Sequence, residues 1–103
     1  MSPSCRFKRV YRAFDLVGFD PRKRAEVLAE RGFDLDFISR MFLCWVLERQ
    51  DTRDYDEIRY QAIGELLGMV YVAVYTRSER RRRLMTAWEA EHEDRVLWYG
   101  SAR

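Results

Sequence analysis

The sequence is poor in the residues that build several common kinds of site. It has two cysteines and one histidine in 103 residues, and their spacing is not that of a metal site. No Gly/Ser-rich or Pro-rich linker divides the chain, and it contains no P-loop, dinucleotide fingerprint or G-x-S-x-G motif. We therefore expect one domain covering residues 1–103, with no metal and no cofactor. Cys44 stands in the apolar run "MFLCWVL", where a small buried thiol is expected.

Long apolar runs and a strong charge imbalance are also absent. No stretch reaches the roughly 18 apolar residues that a membrane-spanning helix needs, and the N-terminus lacks a signal-peptide core. Nineteen Lys and Arg residues against 17 Asp and Glu leave a net charge of +2. Because this total is small, any nucleic-acid signal must come from where the charges sit. These absences predict a cytoplasmic protein without membrane contact.

Two helices are predicted in the first half of the chain. Asp20, Pro21 and Gly32 have the residue types of an N-cap, a first helical position and a C-cap. A second short helix is expected to begin after Asp34, since the apolar residues that follow recur at helical spacing: Leu35, Ile38, Met41 and Phe42. The two helices are expected to form an αα-hairpin.

The remaining segments predict an α+β fold of order β-αα-ββββ-α. Residues 13–19 are expected to form the first strand, and the four later strands are expected at 43–48, 57–65, 69–76 and 81–88. The segment 89–100 is predicted to be a C-terminal helix with Trp88, His92, Val96 and Tyr99 along one face. The hairpin and this helix would pack against a mostly antiparallel sheet. We expect the helices on one face, with function on the other, at least partly open, face.

Four consecutive arginines, 80–83, stand at the start of the last predicted strand. Side chains alternate along a strand, so Arg81, Arg83 and Met85 should share one face, and Arg82, Leu84 and Thr86 the other. Burying an unpaired guanidinium is costly, which places these arginines at a strand end, an edge or the open face. Together with Arg59 and a nearby tyrosine (Tyr60, Tyr71 or Tyr75), they would form an anion site. A solvated hairpin end whose arginines pair with carboxylates is the alternative.

Three motifs fall in order along the chain: "DPRK" at 20–23, "RYQAIG" at 59–64 and "VAVYT" at 72–76. With their flanking segments they resemble the BrnT toxin family of bacterial type II toxin–antitoxin modules, over about residues 14–90. The resemblance implies a RelE-like microbial ribonuclease fold and metal-independent cleavage of RNA. It also implies a BrnA-like partner antitoxin with a DNA-binding domain. A homodimer and a toxin–antitoxin hetero-oligomer both remain open.

The resemblance also supplies candidate site residues. By position, Lys23, Arg59 and Arg83 match basic residues of the family motifs and are candidate catalytic residues. His92 is a further catalytic candidate, because a histidine can exchange protons near neutral pH, although a lone histidine on a helix is often a plain surface residue. The candidate RNA-binding residues are Arg31, Arg81, Arg82 and Tyr60.

Two positions depart from the family pattern. Glu30-Arg31 stands where the family has Lys-His, and Trp88 stands where it has an arginine. Arginine is a poor general base, since its pKa is above ~12, and losing a general acid or base typically costs about 10²–10⁴ in rate. A catalytically weakened relative that binds RNA or a protein without cleaving is therefore the alternative function. An unrelated α+β interaction domain is a third possibility.

Overall fold

The computed structural model describes residues 8–11, 16–51 and 57–101. Within them the chain forms one α+β unit, in which a sheet is packed between helices. The elements, in chain order, are β1 Lys8–Val10, β2 Leu16–Phe19, α1 Pro21–Arg31, α2 Leu35–Ser39, β3 Val46–Asp51, β4 Arg59–Leu66, β5 Met69–Ser78, β6 Arg81–Glu89 and α3 His92–Ser101. None of the described helices is both long and apolar enough to cross a membrane.

The helix ends follow the predicted caps. The Asp20 carboxylate accepts a hydrogen bond from the backbone N–H of Arg22, and Gly32 ends α1 with φ 80°, donating its own N–H to the Leu28 carbonyl. Asp34 caps α2 in the same way as Asp20 caps α1. A 3₁₀ segment, Arg40–Leu43, then continues the second helix. The αα-hairpin prediction is confirmed.

The six strands form one sheet with the order β1-β3-β4-β5-β6-β2. All neighbouring strands are antiparallel except β2 and β6, which are parallel. The predicted order lacked β1, so the observed order is ββ-αα-ββββ-α. The first predicted strand, 13–19, is confirmed over 16–19, and residues 13–15 lie outside the described residues. Beta-strand β1 has only three residues, too few for a period-2 pattern to stand out.

The helices cover both faces of the sheet, so the prediction that they share one face is wrong. We call the side under α1 and α2 the hairpin face, and its core contains Val27, Leu35, Ile38, Met41, Phe42, Val46, Ala62, Ala73, Tyr75, Leu84 and Ala87. We call the other side the α3 face, where Leu47, Ile63, Val70, Val72, Ala90 and Trp98 are buried together. Strand β5 is apolar on both sides and needs cover on both.

Helix α3 presents a different side to the sheet from the one predicted. Its buried residue is Trp98, whose indole N–H donates to a Glu65 carboxylate oxygen over 2.8 Å. Val96 and Tyr99, which were expected along one face of the helix with Trp88 and His92, are exposed. The helix begins at His92 rather than at the predicted 89, and Trp88 belongs to β6. The expected apolar stripe therefore mixed residues of two different elements.

Strand β3 starts three residues later than predicted, because residues 40–43 belong to the 3₁₀ segment. Cys44 lies between that segment and the strand and is exposed, so the prediction of a buried thiol is wrong. The sequence prediction treated residues 43–48 as one continuous strand, whereas the chain leaves the 3₁₀ segment at Cys44 before the strand begins. Part of the predicted loop, residues 49–51, extends β3, and residues 52–56 lie outside the described residues.

A β-bulge in β6 changes the predicted facing of its residues. Val74 pairs with Thr86 and Tyr75 with Leu84, so Met85 is the extra residue between two register pairs. Arg82 and Leu84 consequently share the hairpin face with Ala87 rather than with Thr86. The predicted split of Arg81 and Arg83 from Arg82 still holds, because these residues precede the bulge.

Candidate functional site

Arg59 and Arg83 lie on the same face of the sheet, in line across three strands. Arg59 precedes Tyr60, which pairs with Tyr75, and Thr76 follows Tyr75 and pairs with Arg83. Because Tyr75 belongs to the hairpin-face core, its neighbour Thr76 points to the α3 face, as do Arg59 and Arg83. Arg59 and Arg83 therefore share the face away from the αα-hairpin. We call Arg59, Thr76 and Arg83 the arginine row.

A cleft of about 550 Å³ adjoins this row where β2, β6 and β5 lie side by side. Gly18 pairs with Arg83 at its floor, and a Cβ added to Gly18 would meet no atom within 4 Å. The cleft, which we call the arginine cleft, is lined by Leu16, Val17, Gly18, Phe19, Thr76, Ser78, Arg81, Arg82 and Arg83. Exposed guanidinium groups beside hydroxyl groups can bind a phosphate through several hydrogen bonds at once.

Carboxylates contact both arginines of the row at longer range. Arg83 Nη2 is 3.5 Å from Asp20 Oδ2, and Arg59 Nη2 is 3.4 Å from Glu57 Oε1. The first pair is largely exposed, with the Arg83 side chain 62% accessible. Exposed ion pairs of this kind contribute little stability, so a polyanion can replace Asp20 beside Arg83 at modest cost. The alternative interpretation, a solvated hairpin end whose arginines pair with carboxylates, therefore explains the ion pairs but not the alignment of the arginine row.

Two of the predicted RNA-binding residues, Arg82 and Tyr60, lie on the hairpin face instead. Arg82 is 2% exposed, which corrects the expectation that this arginine faces solvent. Its guanidinium carbon lies 4.7 Å from the Phe42 ring centroid, and its Nη2 is 3.9 Å from Glu48 Oε2. Burial is tolerated because the charge faces a carboxylate and aromatic rings. The Arg82 guanidinium as placed therefore cannot contact RNA, although Arg82 is among the residues that line the arginine cleft.

Tyr60 stacks on Tyr75, with ring centroids 6.0 Å apart, and the Arg77 guanidinium lies 4.2 Å from the Tyr60 centroid. Tyr71 and Tyr75 also belong to the hairpin-face cluster. The expectation that a tyrosine would lie beside the arginines of the open face is therefore wrong for all three.

A cluster of polar side chains lies next to this stack. It consists of Glu48, Tyr75, Arg77 and Arg82, and we call it the Glu48 network. Arg77 Nη1 donates to Glu48 Oε1 over 2.6 Å, and the Tyr75 hydroxyl donates to Glu48 Oε2. Burial and the adjacent Glu48 charge raise the pKa of Tyr75 far above its usual range, so the hydroxyl stays protonated. Sequence reasoning missed Glu48, although a charged residue inside the apolar run "WVLE" is a signal of a paired buried group.

The other two catalytic candidates are at different places in the fold. His92 begins α3, two residues after Ala90, whose N–H donates to the Val70 carbonyl. Val70 is six residues along β5 from Thr76, or about 20 Å, so His92 and the arginine row are at opposite ends of the sheet. Lys23 is in the first turn of α1, three residues after Asp20, and its Nζ is 3.9 Å from Glu26. Because Asp20 contacts Arg83, Lys23 belongs to the arginine end.

Arg31 and Trp88, which are expected to depart from the family pattern, meet in space. The Arg31 guanidinium carbon is 5.8 Å from the centroid of the Trp88 ring. Both residues line a cleft of about 530 Å³ at the edge of β6, which we call the edge cleft. The residues that line it are Glu30, Arg31, Phe33, Trp88, Glu89 and Glu91. Three carboxylates against one guanidinium make this cleft acidic, in contrast to the arginine cleft.

The sequence model of one protein family matches residues 19–99, which contain the αα-hairpin, both clefts and the arginine row. Its description is the ribonuclease toxin, BrnT, of type II toxin–antitoxin systems. The chain belongs to the BrnT family. Family membership implies an RNA substrate and an antitoxin partner. Among curated proteins, no sequence matches this BrnT-family chain closely enough to count as a relative.

Neither cleft contains the residues of a typical metal site. Across residues 8–11, 16–51 and 57–101, no three His, Cys, Asp or Glu side chains are grouped so that they could hold a metal ion. The groups that can act on a phosphate at the arginine end are instead guanidinium, ammonium and hydroxyl groups. Thr76 was not among the predicted site residues, because a threonine in a strand carries no signal until the register places it between two arginines.

Proposed function

We propose that this chain is an endoribonuclease toxin that holds the scissile phosphate of RNA on the α3 face, works without a metal ion, and is neutralised by a BrnA-like antitoxin with a DNA-binding domain. The observation that most supports this is the alignment of Arg59, Thr76 and Arg83 beside the arginine cleft. A RelE-like microbial ribonuclease fold and a cytoplasmic location belong to the same proposal.

The proposed reaction transfers the phosphoryl group within the RNA. The 2′-oxygen attacks phosphorus as its proton passes to a water molecule, the bond to the 5′-oxygen breaks, and that oxygen gains a proton. The products are a 2′,3′-cyclic phosphate and a 5′-hydroxyl. Arg59 and Arg83 would stabilise the charge of the pentacoordinate phosphorane, and the Thr76 hydroxyl would donate to a non-bridging oxygen.

The site has fewer groups for proton transfer than for stabilising the charge of the phosphorane. Lys23 is at the arginine end, so we assign it the protonation of the leaving 5′-oxygen. His92 stands about 20 Å away along the sheet and has no part in the reaction as we propose it. Arg81 lines the cleft and would contact a neighbouring phosphate of the same strand.

A second function, RNA binding without cleavage, is favoured by the edge cleft. There the chain has Arg31 where the family has a histidine, and Arg31 lies against Trp88. No group that titrates near neutral pH therefore occupies either position. A protein of this kind would keep the arginine row and its salt-dependent RNA affinity but turn over slowly or not at all.

Both functions can be tested with purified protein and a labelled single-stranded RNA of about thirty nucleotides, in the presence of EDTA. We expect cleavage to products with 2′,3′-cyclic phosphate ends, and a loss of about 10² or more in rate for Arg59→Ala or Arg83→Ala. Arg40→Ala is the matched control, because Arg40 is exposed and pairs with Asp36 on α2.

Each outcome separates the alternatives. Salt-dependent binding without cleavage, weakened by Arg83→Ala, would establish the second function. An RNA affinity that does not change with salt or with either arginine variant would rule out both functions. Cleavage that stops in EDTA and returns with a divalent cation would contradict metal independence. Co-expression with the product of the neighbouring reading frame, followed by purification of the complex and recovery of growth, tests the antitoxin.

A further inference from the structure

One carboxylate on the hairpin face contacts both strands of the β5–β6 hairpin. Glu48 is 6% exposed. Its Oε1 accepts from Arg77 of β5 over 2.6 Å, and its Oε2 lies 3.9 Å from Nη2 of Arg82 in β6. The Tyr75 hydroxyl donates to the same Oε2. These contacts join β3 to two strands that are not its neighbours in the sheet.

Small residues make this reach possible. Glu48 pairs with Ala62 of β4, and Ala62 pairs with Ala73 of β5, so a row of two alanines lies beside the carboxylate on the hairpin face. Both alanines are fully buried and leave room for longer side chains to cross above them. The Phe42 ring packs edge-on against Tyr75 at 5.2 Å and closes the space around Arg82.

Along β5 and β6, the residues that Glu48 contacts alternate with the other residues of these strands that line the arginine cleft. Arg77 pairs with Arg82 on the hairpin face. The pairs on either side, Thr76 with Arg83 and Ser78 with Arg81, face the opposite way and line the cleft. The Glu48 network therefore holds the inner side of the same two-stranded segment whose outer side carries the cleft.

We infer that Glu48 is a positioning residue for RNA cleavage, acting through Arg77 and Arg82 on the placement of Arg81 and Arg83. The inference rests on the proposed function. Arginine side chains stabilise a phosphorane well only if they stand at fixed positions before the reaction. By anchoring both strands near their connecting turn, Glu48 restricts the backbone from which the two outer arginines project.

The direct test is Glu48→Gln, which keeps the size of the side chain and an acceptor for Tyr75 but removes the charge. We expect kcat/KM for the labelled single-stranded RNA to fall about 10²-fold. We also expect the slope of log affinity against log salt to decrease in magnitude by about one, because one arginine–phosphate contact is lost. A purely structural role would lower the melting temperature without changing that slope.

Glu65→Gln is the matched control, since Glu65 accepts from Trp98 at the α3 end of the sheet and is exposed. We expect wild-type cleavage and an unchanged salt slope for this variant. A second variant, Glu48→Leu with Arg82→Met and Tyr75→Phe, removes both buried charges and the buried hydroxyl that donates to Glu48, and replaces them with apolar groups of similar size, which is often neutral for stability. It should melt near the wild-type temperature and still lose cleavage, because Arg77 has lost the Glu48 carboxylate.

The results distinguish this inference from the proposed function. If Arg83→Ala loses cleavage but a folded Glu48 variant keeps wild-type kcat/KM and salt slope, the positioning role is wrong and the proposed function stands. If Arg83→Ala has no effect on cleavage, the proposed function is wrong, and the positioning role that rests on it is wrong as well. If neither Glu48 variant folds, Glu48 is required for the fold itself, and the positioning role is likewise overturned.

Discussion

The guanidinium of Arg31 lies against the ring of Trp88, with 5.8 Å between the guanidinium carbon and the ring centroid. Both belong to the positions at which the chain is expected to depart from the family pattern, and 57 positions separate them in the sequence. Their meeting at one cleft indicates that the departures affect one location on the molecule. Trp88 is five residues along β6 from Arg83, about 15 Å, and on the same face of the sheet.

We expect Arg31→His combined with Trp88→Arg to leave the rate of RNA cleavage unchanged, although it adds an imidazole that titrates near neutral pH and a cation on the α3 face. A general acid or base must lie within hydrogen-bond reach of the proton that it transfers, and Trp88 is about 15 Å from Arg83 along β6. A rate that rises with an apparent pKa near that of an ordinary histidine, about 6.5, would place the scissile phosphate at the edge cleft instead. The measurement is the pH dependence of kcat/KM.

Trp88 packs against the α3-face core, so Trp88→Arg is expected to lower the melting temperature. Arg31→Gln with Trp88→Arg is the matched control, because it has the same cost in packing and no titrating group. If the histidine variant folds and cleaves no faster than this control, the edge cleft takes no part in the reaction.

Gly64 is expected to be required for the packing of the αα-hairpin. A Cβ at this position would lie 3.1 Å from the Cβ, Cγ and Sδ atoms of Met41, which is 2% exposed. Gly64→Ala should therefore lower the free energy of unfolding by about 1–3 kcal/mol, as overpacking of a core usually does. Urea denaturation measures this. Gly100→Ala is the control, since its added methyl meets no atom within 4 Å, and equal stability of the two variants would contradict the explanation.

Leu67 is in an unfavourable backbone conformation in the turn between β4 and β5. Its φ is 50° and that of Gly68 is 83°, and the Leu67 side chain is 91% exposed. Two-residue hairpin turns with positive φ at both positions favour Asn-Gly. Leu67→Asn should raise the free energy of unfolding by about 1 kcal/mol. Thermal melting measures this gain. The control is Leu43→Asn, which replaces another exposed leucine whose φ is not positive and should not raise the melting temperature.

Asp94 should make folding less favourable as the pH rises. Burial raises the pKa of this carboxyl above its usual 3.8, and the nearby Glu93 and Glu91 add to the effect, although Arg49 opposes it. The folded state therefore holds a proton that the unfolded state releases first, so stability is lost as the pH rises from 3.8 through the folded-state pKa. Asp94→Asn should melt like the wild type near pH 3 and higher at pH 7. Glu30→Gln is the control, because Glu30 is exposed on α1 and is not among the charges that act on Asp94. Equal melting curves of Asp94→Asn and the wild type at both pH values would contradict the assignment.

Local chemistry allowed the sequence to predict the helices of the hairpin and the four long strands. Caps such as Asp20 and Gly32 act within one turn of the chain, and apolar spacing needs no partner to be recognised. The family pattern was also visible in short motifs, and the match over residues 19–99 confirms it. The same alternation rule correctly separated Arg82 from Arg81 and Arg83, because it depends only on neighbouring positions.

The register and the stacking of layers were decided by the tertiary structure. The sequence could not show that α3 packs on the face opposite the hairpin, since either face of β5 is apolar enough to bury it. It could not show the bulge at Met85, because one extra residue leaves no compositional signal. Nor could it show that Arg82 is buried, which depends on Glu48, 34 positions earlier. Side-chain chemistry is local, but burial and partnership depend on which strands become neighbours, and that is settled by packing the whole chain.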